Sequence, residues 1–415
     1  TLTEANGGDD TVTTGLGEDI VLGGAGGDTI TTDMTDGTDG TDGADIVLGD
    51  VGRVNWVNAE DGSTDLAQEI ETTDWRHGGD DVISSGASND LVIGGTGFIG
   101  RALTRRLVAD GHDVRVVSRG RRGPFPDLPD QVETVALNLH DLEALTHAMQ
   151  GVDVVFNLAR SLEKTWAEAL VNDVGVATRV GMACQKAGVK RLIYTGTIAS
   201  FDMSRPEVPI TESTPFAADM SDRNLYARSK AECERQLMAL HRDRGLPLTI
   251  ARPGIVVGHG GPLQHWGIGR WHGAGAVRIW GPGQNILPFV LIDDVVDGLV
   301  RMAARPSANG QSFNLVGEPL LTARDYFDAI HEVLGARIRV SSGNLTAFYA
   351  ADAVKSVLKK YALRQHGVTR PSLADWKSRA HFSPFIIDKP KQMLDWTPEA
   401  DRARFVDRAI AQAAL

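Results

Sequence analysis

The chain of 415 residues has only two cysteines, and its first 90 residues contain no lysine. Cys184 and Cys233 lie in helix-like contexts without metal-ligand spacing, so neither a disulfide framework nor a cysteine metal site is expected. No apolar run approaches the roughly 18 residues of a membrane-spanning helix, so no such helix is expected. The first residues carry neither a basic region nor an apolar stretch, so no signal peptide is expected there. Apolar residues make up 42% of the chain, which excludes a wholly disordered or collagen-like protein.

Charge divides the sequence into two parts. Residues 1–90 hold 21 acidic and two basic residues, whereas the remaining residues hold 33 acidic and 40 basic ones. The net charges are therefore −19 and +7, an asymmetry that predicts two modules of different character. Because phosphates would be repelled by the first part, nucleic acid is not expected as its partner.

A nine-residue repeat runs through the acidic part. Asp10, Asp19 and Asp28 are nine residues apart, and a β-branched residue follows each of them two positions later. The pattern resembles the haemolysin-type (RTX) nonapeptide, which implies a parallel β-roll with calcium held by the carboxylates of these three aspartates. The alternative is an acidic linker without structure. The low-complexity run at residues 33–42 is expected to be a flexible insert.

A glycine-punctuated turn opens the second part. The apolar run that starts at Leu91 leads into Gly94-Gly-Thr-Gly97-Phe-Ile-Gly100, and a helical pattern and a second strand follow before residue 119. Strand, turn, helix and strand in this order are the context in which a glycine motif binds a dinucleotide. Glycines let the backbone approach a pyrophosphate, which the N–H groups of the helix N-terminus hold.

A second motif indicates acid/base chemistry. Tyr226-Ala-Arg-Ser-Lys230 lies in a segment with helical periodicity, so the two side chains share a face one turn apart. There the ammonium group of Lys230 would stabilise a phenolate. A strand over residues 191–195 ends in Thr195-Gly-Thr197, whose hydroxyls suit a substrate oxygen. Either residue of the Tyr–Lys pair alone would more often be a packed or solvated side chain.

These motifs resemble the extended short-chain dehydrogenases/reductases, specifically the NAD-dependent epimerase/dehydratase and 3β-hydroxysteroid dehydrogenase-like group, over residues 91–415. Asn157-Leu-Ala-Arg160 and Arg252-Pro-Gly254 match as well. The resemblance implies an α/β fold, a Rossmann-like doubly wound parallel sheet of seven strands. We therefore predict a repeat segment at 1–89, a dinucleotide-binding domain at 90–253 and a small substrate lobe at 254–415.

The resemblance also implies roles for individual residues. Tyr226 is the expected acid/base, Lys230 assists it and holds the nicotinamide ribose, and Thr197, preferred over Thr195, orients the substrate oxygen. The expected cofactor-binding residues are Gly94, Gly97, Phe98, Ile99, Gly100, Ser118, Arg119, Arg122, Asn138, Leu139, Leu158, Ala159, Thr195, Tyr226, Lys230 and Pro253.

The loop after the second strand bears on the choice of cofactor. NAD-specific relatives usually carry a carboxylate there, whereas this chain has Ser118-Arg119-Gly-Arg121-Arg122. Arginines can bind a 2′-phosphate in a bidentate manner, so NADP(H) is expected in preference to NAD(H). The alternative is that these arginines form a solvated loop.

The substrate is less readable. By the resemblance, enzymes that use nucleotide sugars commonly have an arginine at the position of Leu287, so a nucleotide-sugar substrate is less expected. Arg270 or Arg278 could take the place of that arginine. The segment 259–281 is rich in glycine, tryptophan and histidine and could line an apolar pocket. A sugar nucleotide, a sterol-like molecule and another ketone or alcohol all remain open, as do reduction, epimerisation and dehydration.

Two other functions compete with an active enzyme. One is a non-catalytic dinucleotide-binding subunit, and the other is a calcium-dependent extracellular module with a passive passenger. An NADP(H) enzyme is expected in the cytoplasm, whereas RTX repeats suggest an extracellular origin. Since the string Leu91–Gly95 fits both modules, a recombinant or misassembled junction is one hypothesis. A homodimer through helices at 161–187 and 222–244 is also expected from the resemblance.

Overall fold

The computed structural model describes residues 89–118, 125, 132–161, 163–202, 207–217, 219–273, 275–318, 321–364, 368, 371–381 and 383–414, and the backbone of eight earlier strands. The chain divides into two compact units, one of residues 1–88 with 109–113 and one of residues 89–108 with 114–415. The proposed calcium ligands Asp10, Asp19 and Asp28, the segment 33–42 and the arginines Arg119, Arg121 and Arg122 all lie outside the described residues.

The first unit contains short strands in repeated register. Its strands are β1 (Leu2–Glu4), β2 (Thr11–Thr13), β3 (Ile20–Leu22), β4 (Thr29–Thr31), β5 (Ile46–Leu48), β6 (Gly52–Val57), β7 (Leu66–Thr72) and β8 (Val82–Ser84). Two parallel sheets form, with the orders β1-β3-β5 and β2-β4-β8. In the first repeats Leu2 pairs with Ile20 and Thr11 with Thr29, so that alternate strands join alternate sheets. The antiparallel pair β6-β7 is separate from both.

A seven-stranded sheet is the framework of the second unit. It has the order β11-β10-β9-β12-β13-β14-β20, and its described pairings are parallel. Its strands are β9 (Asn89–Ile93), β10 (Asp113–Ser118), β11 (Val132–Ala136), β12 (Val154–Asn157), β13 (Arg191–Thr195), β14 (Leu248–Pro253) and β20 (Ser312–Leu315). The expected fold and strand number are confirmed, and the strand that contains Leu91 belongs to this sheet.

Both faces of the sheet are covered. In β9, Leu91 and Ile93 pack into one apolar cluster and Val92 into another, because successive side chains point to opposite faces. One face carries α1 (Phe98–Ala109) and α6 (Ile292–Ala304). The other carries α2 (Leu142–Ala148), α4 (Gly175–Ala187) and α5 (Leu225–Arg244). Helices on both faces are what a parallel sheet with right-handed crossovers requires.

The two long helices begin later than their sequence patterns suggested. The first begins at Trp166 as α3 (Trp166–Ala169) and continues through a π turn (Leu170–Val174) into α4. Its N-terminus is fixed by a capping box between Thr165 and Glu168. The second begins at Leu225 because the Asn224 side chain accepts the Ala227 N–H at 3.0 Å.

The C-terminal segment builds a further apolar core. It contains the strands β15 (Ile255–Val257), β16 (Gly269–Trp271), β17 (Ala276–Trp280), β18 (Ile286–Leu287), β19 (Phe289–Leu291), β21 (Leu321–Thr322) and β22 (Arg339–Gly343). Its helices are α7 (Ala323–Leu334), α8 (Leu345–Val357) with a π turn (Leu358–Ala362), α9 (Leu373–Ser378), α10 (Asp388–Leu394) and α11 (Arg402–Val406). Phe289, Tyr326 and Phe405 lie at the centre of this core. Across the described residues, every helix is too short or too polar to cross a membrane.

Candidate active site

The turn between β9 and α1 is shaped by glycine. Gly94 has a φ of +85°, a conformation that side chains rarely adopt, and its carbonyl accepts the Gly97 N–H at 3.0 Å. A Cβ on Gly100 would overlap the Gly94 carbonyl oxygen and lie 2.5 Å from the Gly95 Cα. The backbone of the glycine turn therefore packs directly on the first turn of helix α1. Because no side chain stands between them, the N-terminus of α1 is open to a ligand.

A crevice of about 590 Å³ opens at the carboxyl ends of the central strands. Eight of the expected cofactor residues line it: Gly94, Gly97, Ser118, Asn138, Leu139, Leu158, Ala159 and Lys230. Six others do not line it: Phe98, Ile99, Gly100, Thr195, Tyr226 and Pro253. The position agrees with the rule that open parallel sheets bind ligands where strand order reverses, here between β9 and β12.

Lys230 is the buried cation of the crevice. Its ammonium group donates to the Thr195 carbonyl at 2.8 Å and lies 4.8 Å from the centre of the Tyr194 ring. Tyr226, one helical turn earlier, is 37% exposed. Helix α5 thus places the ammonium group inside the crevice and the phenol nearer the solvent.

The two threonines after β13 differ in their bonding. The Thr197 hydroxyl oxygen accepts the Ala199 N–H at 3.2 Å and caps the short 3₁₀ turn Ile198–Ser200. The Thr195 hydroxyl is buried without a partner among the described residues. A buried hydroxyl without a partner is unfavourable, so Thr195 is the better candidate to bond a ligand, and Thr197 is already oriented by its cap.

A buried ion pair beneath this loop was not predicted from the sequence. The Arg252 Nε and Nη2 atoms donate to Glu234 Oε2 at 2.9 and 2.8 Å. Burial raises the pKa of Glu234, while the charge of Arg252 opposes that rise. A Cβ on Gly196 would overlap the Glu234 carboxylate, so the pair supports the backbone between Thr195 and Thr197.

The opposite wall of the crevice is organised by Asp173, which lies in the family-like motif Asn172-Asp-Val-Gly175 but for which the sequence predicted no role. Its Oδ1 accepts both the backbone N–H and the hydroxyl of Ser161 at 2.8 Å. Asp173 belongs to the π turn of the first long helix, and such turns are frequent at functional sites. The contact fixes the loop that follows β12 against that helix.

Arg160 joins the crevice to the substrate lobe. Its guanidinium lies 4.9 Å from the centre of the Tyr226 ring. Burial, and then the charge of Arg160, lower the pKa of His265. His265 Nδ1 accepts the Gly267 N–H at 2.9 Å, which requires the neutral imidazole.

Beyond His265 lies an aromatic wall, which we define as Trp266, Trp280, Phe348 and Trp376. The Trp280 ring makes edge contacts with the other three at 5.2–5.6 Å, and Phe348 stacks on Trp376 at 5.4 Å. The guanidinium of Arg379 lies 4.3 Å from the Trp376 ring centre. Three of the four residues are substantially buried, but Trp266 is 58% exposed.

Only some of the aromatic residues of segment 259–281, which was expected to line an apolar pocket, therefore belong to the aromatic wall. Trp266 and Trp280 belong to it, whereas Trp271 packs on Phe327 in the C-terminal core. Arg270 and Arg278 are exposed and lie opposite each other on neighbouring strands. Leu287, where the resemblance implied an arginine in enzymes that use nucleotide sugars, is buried in the same core.

Asp375 ties the aromatic wall to the helix that carries Tyr226. Its carboxylate lies 3.4 Å from Arg223 Nε and 3.2 Å from Arg379 Nη2. It also accepts the backbone N–H of Asn224, the residue that caps α5, at 3.4 Å. The position of Tyr226 therefore depends on a residue nearly 150 positions away.

The crevice fits a dinucleotide. Gly94 and Gly97 of the turn before α1 line it, where a pyrophosphate would meet the N–H groups of a helix N-terminus, and the Lys230 ammonium group offers a further charged donor. Among the residues that the structure describes, no group of three or more His, Cys, Asp or Glu side chains is placed to bind a metal ion.

Known proteins of similar sequence include reductases and epimerases. The chain is 27% identical to 2-alkyl-3-oxoalkanoate reductase of Shewanella oneidensis, over 59% of this chain and 66% of the reductase. It is 30% identical to UDP-glucose 4-epimerase of Mycolicibacterium smegmatis, over 59% of this chain and 82% of the epimerase. It is 26% identical to 3-beta-hydroxysteroid dehydrogenase of Mycolicibacterium neoaurum, over 58% of this chain and 69% of the dehydrogenase.

Solved structures share the fold. UDP-glucuronic acid 4-epimerase from Bacillus cereus, in complex with UDP-glucuronic acid and NAD, superposes with a TM-score of 0.61 at 16% identity, over 79% of this chain and 99% of the epimerase. The dTDP-glucose 4,6-dehydratase DesIV from Streptomyces venezuelae, with NAD bound, gives 0.59 at 21% identity, over 78% and 96%. The profile of the NAD dependent epimerase/dehydratase family matches residues 91–316. Because that match covers more than half of the chain, this protein belongs to the NAD-dependent epimerase/dehydratase family.

Proposed function

We propose that the second unit is an NAD(P)-dependent oxidoreductase that interconverts a ketone and a carbinol, with Tyr226 as the acid/base. The observation that carries the proposal is the placement of Lys230. Its ammonium group is held inside the crevice by the Thr195 carbonyl, one helical turn from an accessible phenol. A buried cation beside a reactive phenol favours the phenolate that accepts a proton from a carbinol.

Each residue then has one task. Tyr226 moves the proton at the substrate oxygen. Thr197 donates its hydroxyl hydrogen to the same oxygen, since its own oxygen is oriented by the Ala199 N–H. Lys230 holds the ribose of the dinucleotide and keeps the local charge positive. The nicotinamide, when bound, supplies or accepts the hydride.

The test is the substitution Tyr226→Phe. We expect turnover to fall by roughly 10²–10⁴-fold while dinucleotide affinity changes little, because only the proton-transfer group is removed. Tyr361→Phe is the matched control, since Tyr361 is an exposed tyrosine elsewhere in the lobe. Unchanged turnover in Tyr226→Phe would refute the role of the phenol. If the wild-type protein binds a dinucleotide but turns over no ketone or sugar nucleotide, the non-catalytic alternative is correct.

An apolar ketone is the substrate class that the site favours. The guanidinium of Arg160 contacts the Tyr226 ring and, together with burial as the larger cause, lowers the pKa of His265, which precedes Trp266 of the aromatic wall in the sequence. Leu287, where the family resemblance implies an arginine in enzymes that use nucleotide sugars, is buried and apolar. The similarity to UDP-glucose 4-epimerase favours a second candidate, epimerisation of a sugar nucleotide. The two are separated by the absorbance at 340 nm, because a reductase consumes its cofactor in proportion to product and an epimerase regenerates it.

We propose NADP(H) as the preferred cofactor. The second strand ends at Ser118 without a carboxylate, and Arg119 and Arg122 follow in the sequence. Titration with NADPH and NADH, followed by tryptophan fluorescence, tests this preference. Arg119→Ala with Arg122→Ala should weaken NADPH binding and leave NADH binding unchanged. Equal affinity for both cofactors in the wild-type protein would refute the preference.

We also propose that the acidic repeats bind calcium. Support comes from the register in which Leu2 pairs with Ile20 and Thr11 with Thr29, a spacing of two nonapeptides. Each repeat then adds a strand to one of two sheets, and in the sequence Asp10, Asp19 and Asp28 come directly before β2, β3 and β4. Calorimetric titration with calcium should show binding that is lost in Asp19→Asn with Asp28→Asn. The same heat with magnesium would indicate unspecific charge screening instead.

A homodimer through the two long helices is a further proposal. Leu170 and Val171, on the first of these helices, are 40% and 54% exposed, an apolar surface of the kind that dimers bury. Sedimentation equilibrium should show a dimer that Val171→Glu dissociates. A wild-type monomer would refute it.

A further inference from the structure

We propose that the C-terminal half of α8 and the π turn after it form a docking site for an anionic lipid surface. The apolar stripe of this site is defined as Val354, Val357, Leu358 and Tyr361. The proposal is independent of the reaction and adds an interaction surface to the molecule.

The stripe is unusually exposed for apolar side chains. Its members occur at helical spacing and are between 53% and 70% exposed, and Leu363 just beyond is 65% exposed. No residue of α8 or of its π turn is fully buried. By contrast, the other long helices of this unit each bury one face against the sheet or the C-terminal core. An apolar face of this kind indicates an external partner.

Positive charge surrounds the stripe. Lys355, Lys359, Lys360 and Arg364 alternate with its residues, and all four are exposed. The single acidic residue of the helix, Asp352, lies 3.9 Å from Lys355 at the start of the stripe. Amphipathic helices with basic residues beside an exposed apolar face lie in the headgroup region of membranes, with long basic side chains reaching outward.

The same charges argue against other occupants. In a symmetric contact between two copies this face would pack on the same face of the partner, which would bring the basic side chains of both copies together, and like charges in contact are destabilising. A nucleic acid would satisfy the charges but would leave the four apolar side chains in water. An anionic lipid surface satisfies both the charge and the apolar stripe, with each basic residue contributing roughly fivefold to binding.

The opposite end of α8 reaches the aromatic wall. Phe348 stacks on Trp376 at 5.4 Å and makes an edge contact with Trp280 at 5.6 Å. A lipid-bound α8 would therefore hold the substrate lobe, rather than the dinucleotide crevice, next to the membrane surface.

The experiment is sedimentation of the full chain with vesicles of phosphatidylcholine containing about 30% phosphatidylserine, compared with pure phosphatidylcholine. We expect the protein to partition onto the anionic vesicles at least roughly tenfold better, and to be released by high salt.

Two variants separate the contributions of the stripe. Val357→Glu should lower partitioning by roughly tenfold, because it places a carboxylate in the apolar contact. Val333→Glu is the matched control, since Val333 is an exposed valine on α7. Lys359→Gln with Lys360→Gln should weaken binding to anionic vesicles roughly twentyfold or more, without altering the apolar side chains.

Three results would overturn the proposal. The first is no partitioning of the wild-type protein. The second is partitioning that Val357→Glu leaves unchanged. The third is a dimer that Val357→Glu dissociates but Val171→Glu does not, which would assign this face to a second copy of the chain.

Discussion

The dinucleotide crevice and the aromatic wall are built in different ways. The crevice is made mainly by backbone: the Gly94 turn, the N-terminus of α1 and the Thr195 carbonyl that holds Lys230. The wall is made by side chains that meet from four separate segments, and Asp375 fixes it to the start of α5. A backbone-built site tolerates sequence change except at its glycines, whereas a side-chain-built site changes with each of its residues. The family can therefore keep one cofactor site while its substrates differ.

The substitution Trp376→Ala tests the aromatic wall, and its expected effect on the free energy of unfolding is the largest of those below. Removing a side chain that is only 8% exposed should reduce the free energy of unfolding by about 3–5 kcal/mol, because a large cavity remains between Phe348, Trp280 and Arg379. Chemical denaturation measures the loss, and dinucleotide affinity should stay within about twofold of wild type. Trp266→Ala is the control, since the more exposed ring should contribute far less. A large loss of dinucleotide affinity in Trp376→Ala would show that the two regions are coupled.

Gly100→Ala tests the crevice. The added methyl group overlaps the Gly94 carbonyl, so we expect dinucleotide affinity to fall by up to about 100-fold, which corresponds to about 3 kcal/mol. Gly275→Ala is the matched control, because a Cβ at that residue meets nothing within 4 Å and its φ is not in the left-handed region. Fluorescence titration gives both affinities. Equal affinities would mean that the glycine turn does not contact the ligand.

The substitution Asp294→Asn tests α6, which belongs to neither the crevice nor the aromatic wall. Burial raises the pKa of Asp294 from 3.8 to about 6, although its Oδ2 accepts the Glu399 N–H at 3.1 Å. Since the folded-state pKa is the higher one, the favourable contribution of the protonated form is complete below pH 3.8 and is lost as the pH rises through about 6. The variant should therefore be more stable than wild type by about 3 kcal/mol at neutral pH and nearly equal to it near pH 4.

Denaturation curves at both pH values measure this difference. Asp293→Asn is the control, because Asp293 is a more exposed neighbour paired with Arg408. A difference between Asp294→Asn and wild type that does not change with pH would contradict the raised pKa.

His265→Gln gives the smallest expected effect and lies at the junction of the two regions. Burial and Arg160 lower the pKa of His265 below 6.5, so the neutral form is favoured in the folded protein. The corresponding stabilisation is present above pH 6.5 and is lost as the pH falls through the lower folded-state pKa, when protonation breaks the bond from Gly267.

Wild-type KM should therefore rise by about twofold to fivefold as the pH falls through the lowered pKa of His265, and the variant should lack this rise. His272→Gln, at a histidine on the neighbouring loop, should behave as wild type. The same pH profile for His265→Gln and wild type would assign the dependence to another group.

The glycine turn and the Tyr–Lys pair could be predicted from the sequence because each consists of residues that lie within one turn or one helix. Gly94, Gly97 and Gly100 are close in the chain, and Tyr226 and Lys230 share one helix. Leu158, Ala159 and Asn138 were found through the resemblance, and they line the crevice. The expected starts of the two long helices were wrong by a few residues, since Thr165 and Asn224 are the caps that begin them.

Other parts of the site carry no local pattern. Asp173 contacts Ser161 because it lies in a π turn, and Glu234 contacts Arg252 because α5 crosses β14. Asp375 lies 151 residues from Asn224. An acidic residue on a helix is usually solvated, so the sequence predicted no contact for these three carboxylates, although Asp173 lies in the family-like motif Asn172-Asp-Val-Gly175.

The sequence by itself predicted the dinucleotide turn, because glycine at close backbone contacts is a local requirement, and its family resemblance implied the seven-stranded parallel sheet. Tertiary structure alone decided which side chains meet beyond the sheet. It buried Leu287, brought the four side chains of the aromatic wall together and left the stripe on α8 exposed. The physical reason is that these outcomes depend on how distant segments pack, and packing is a property of the whole fold rather than of any short segment.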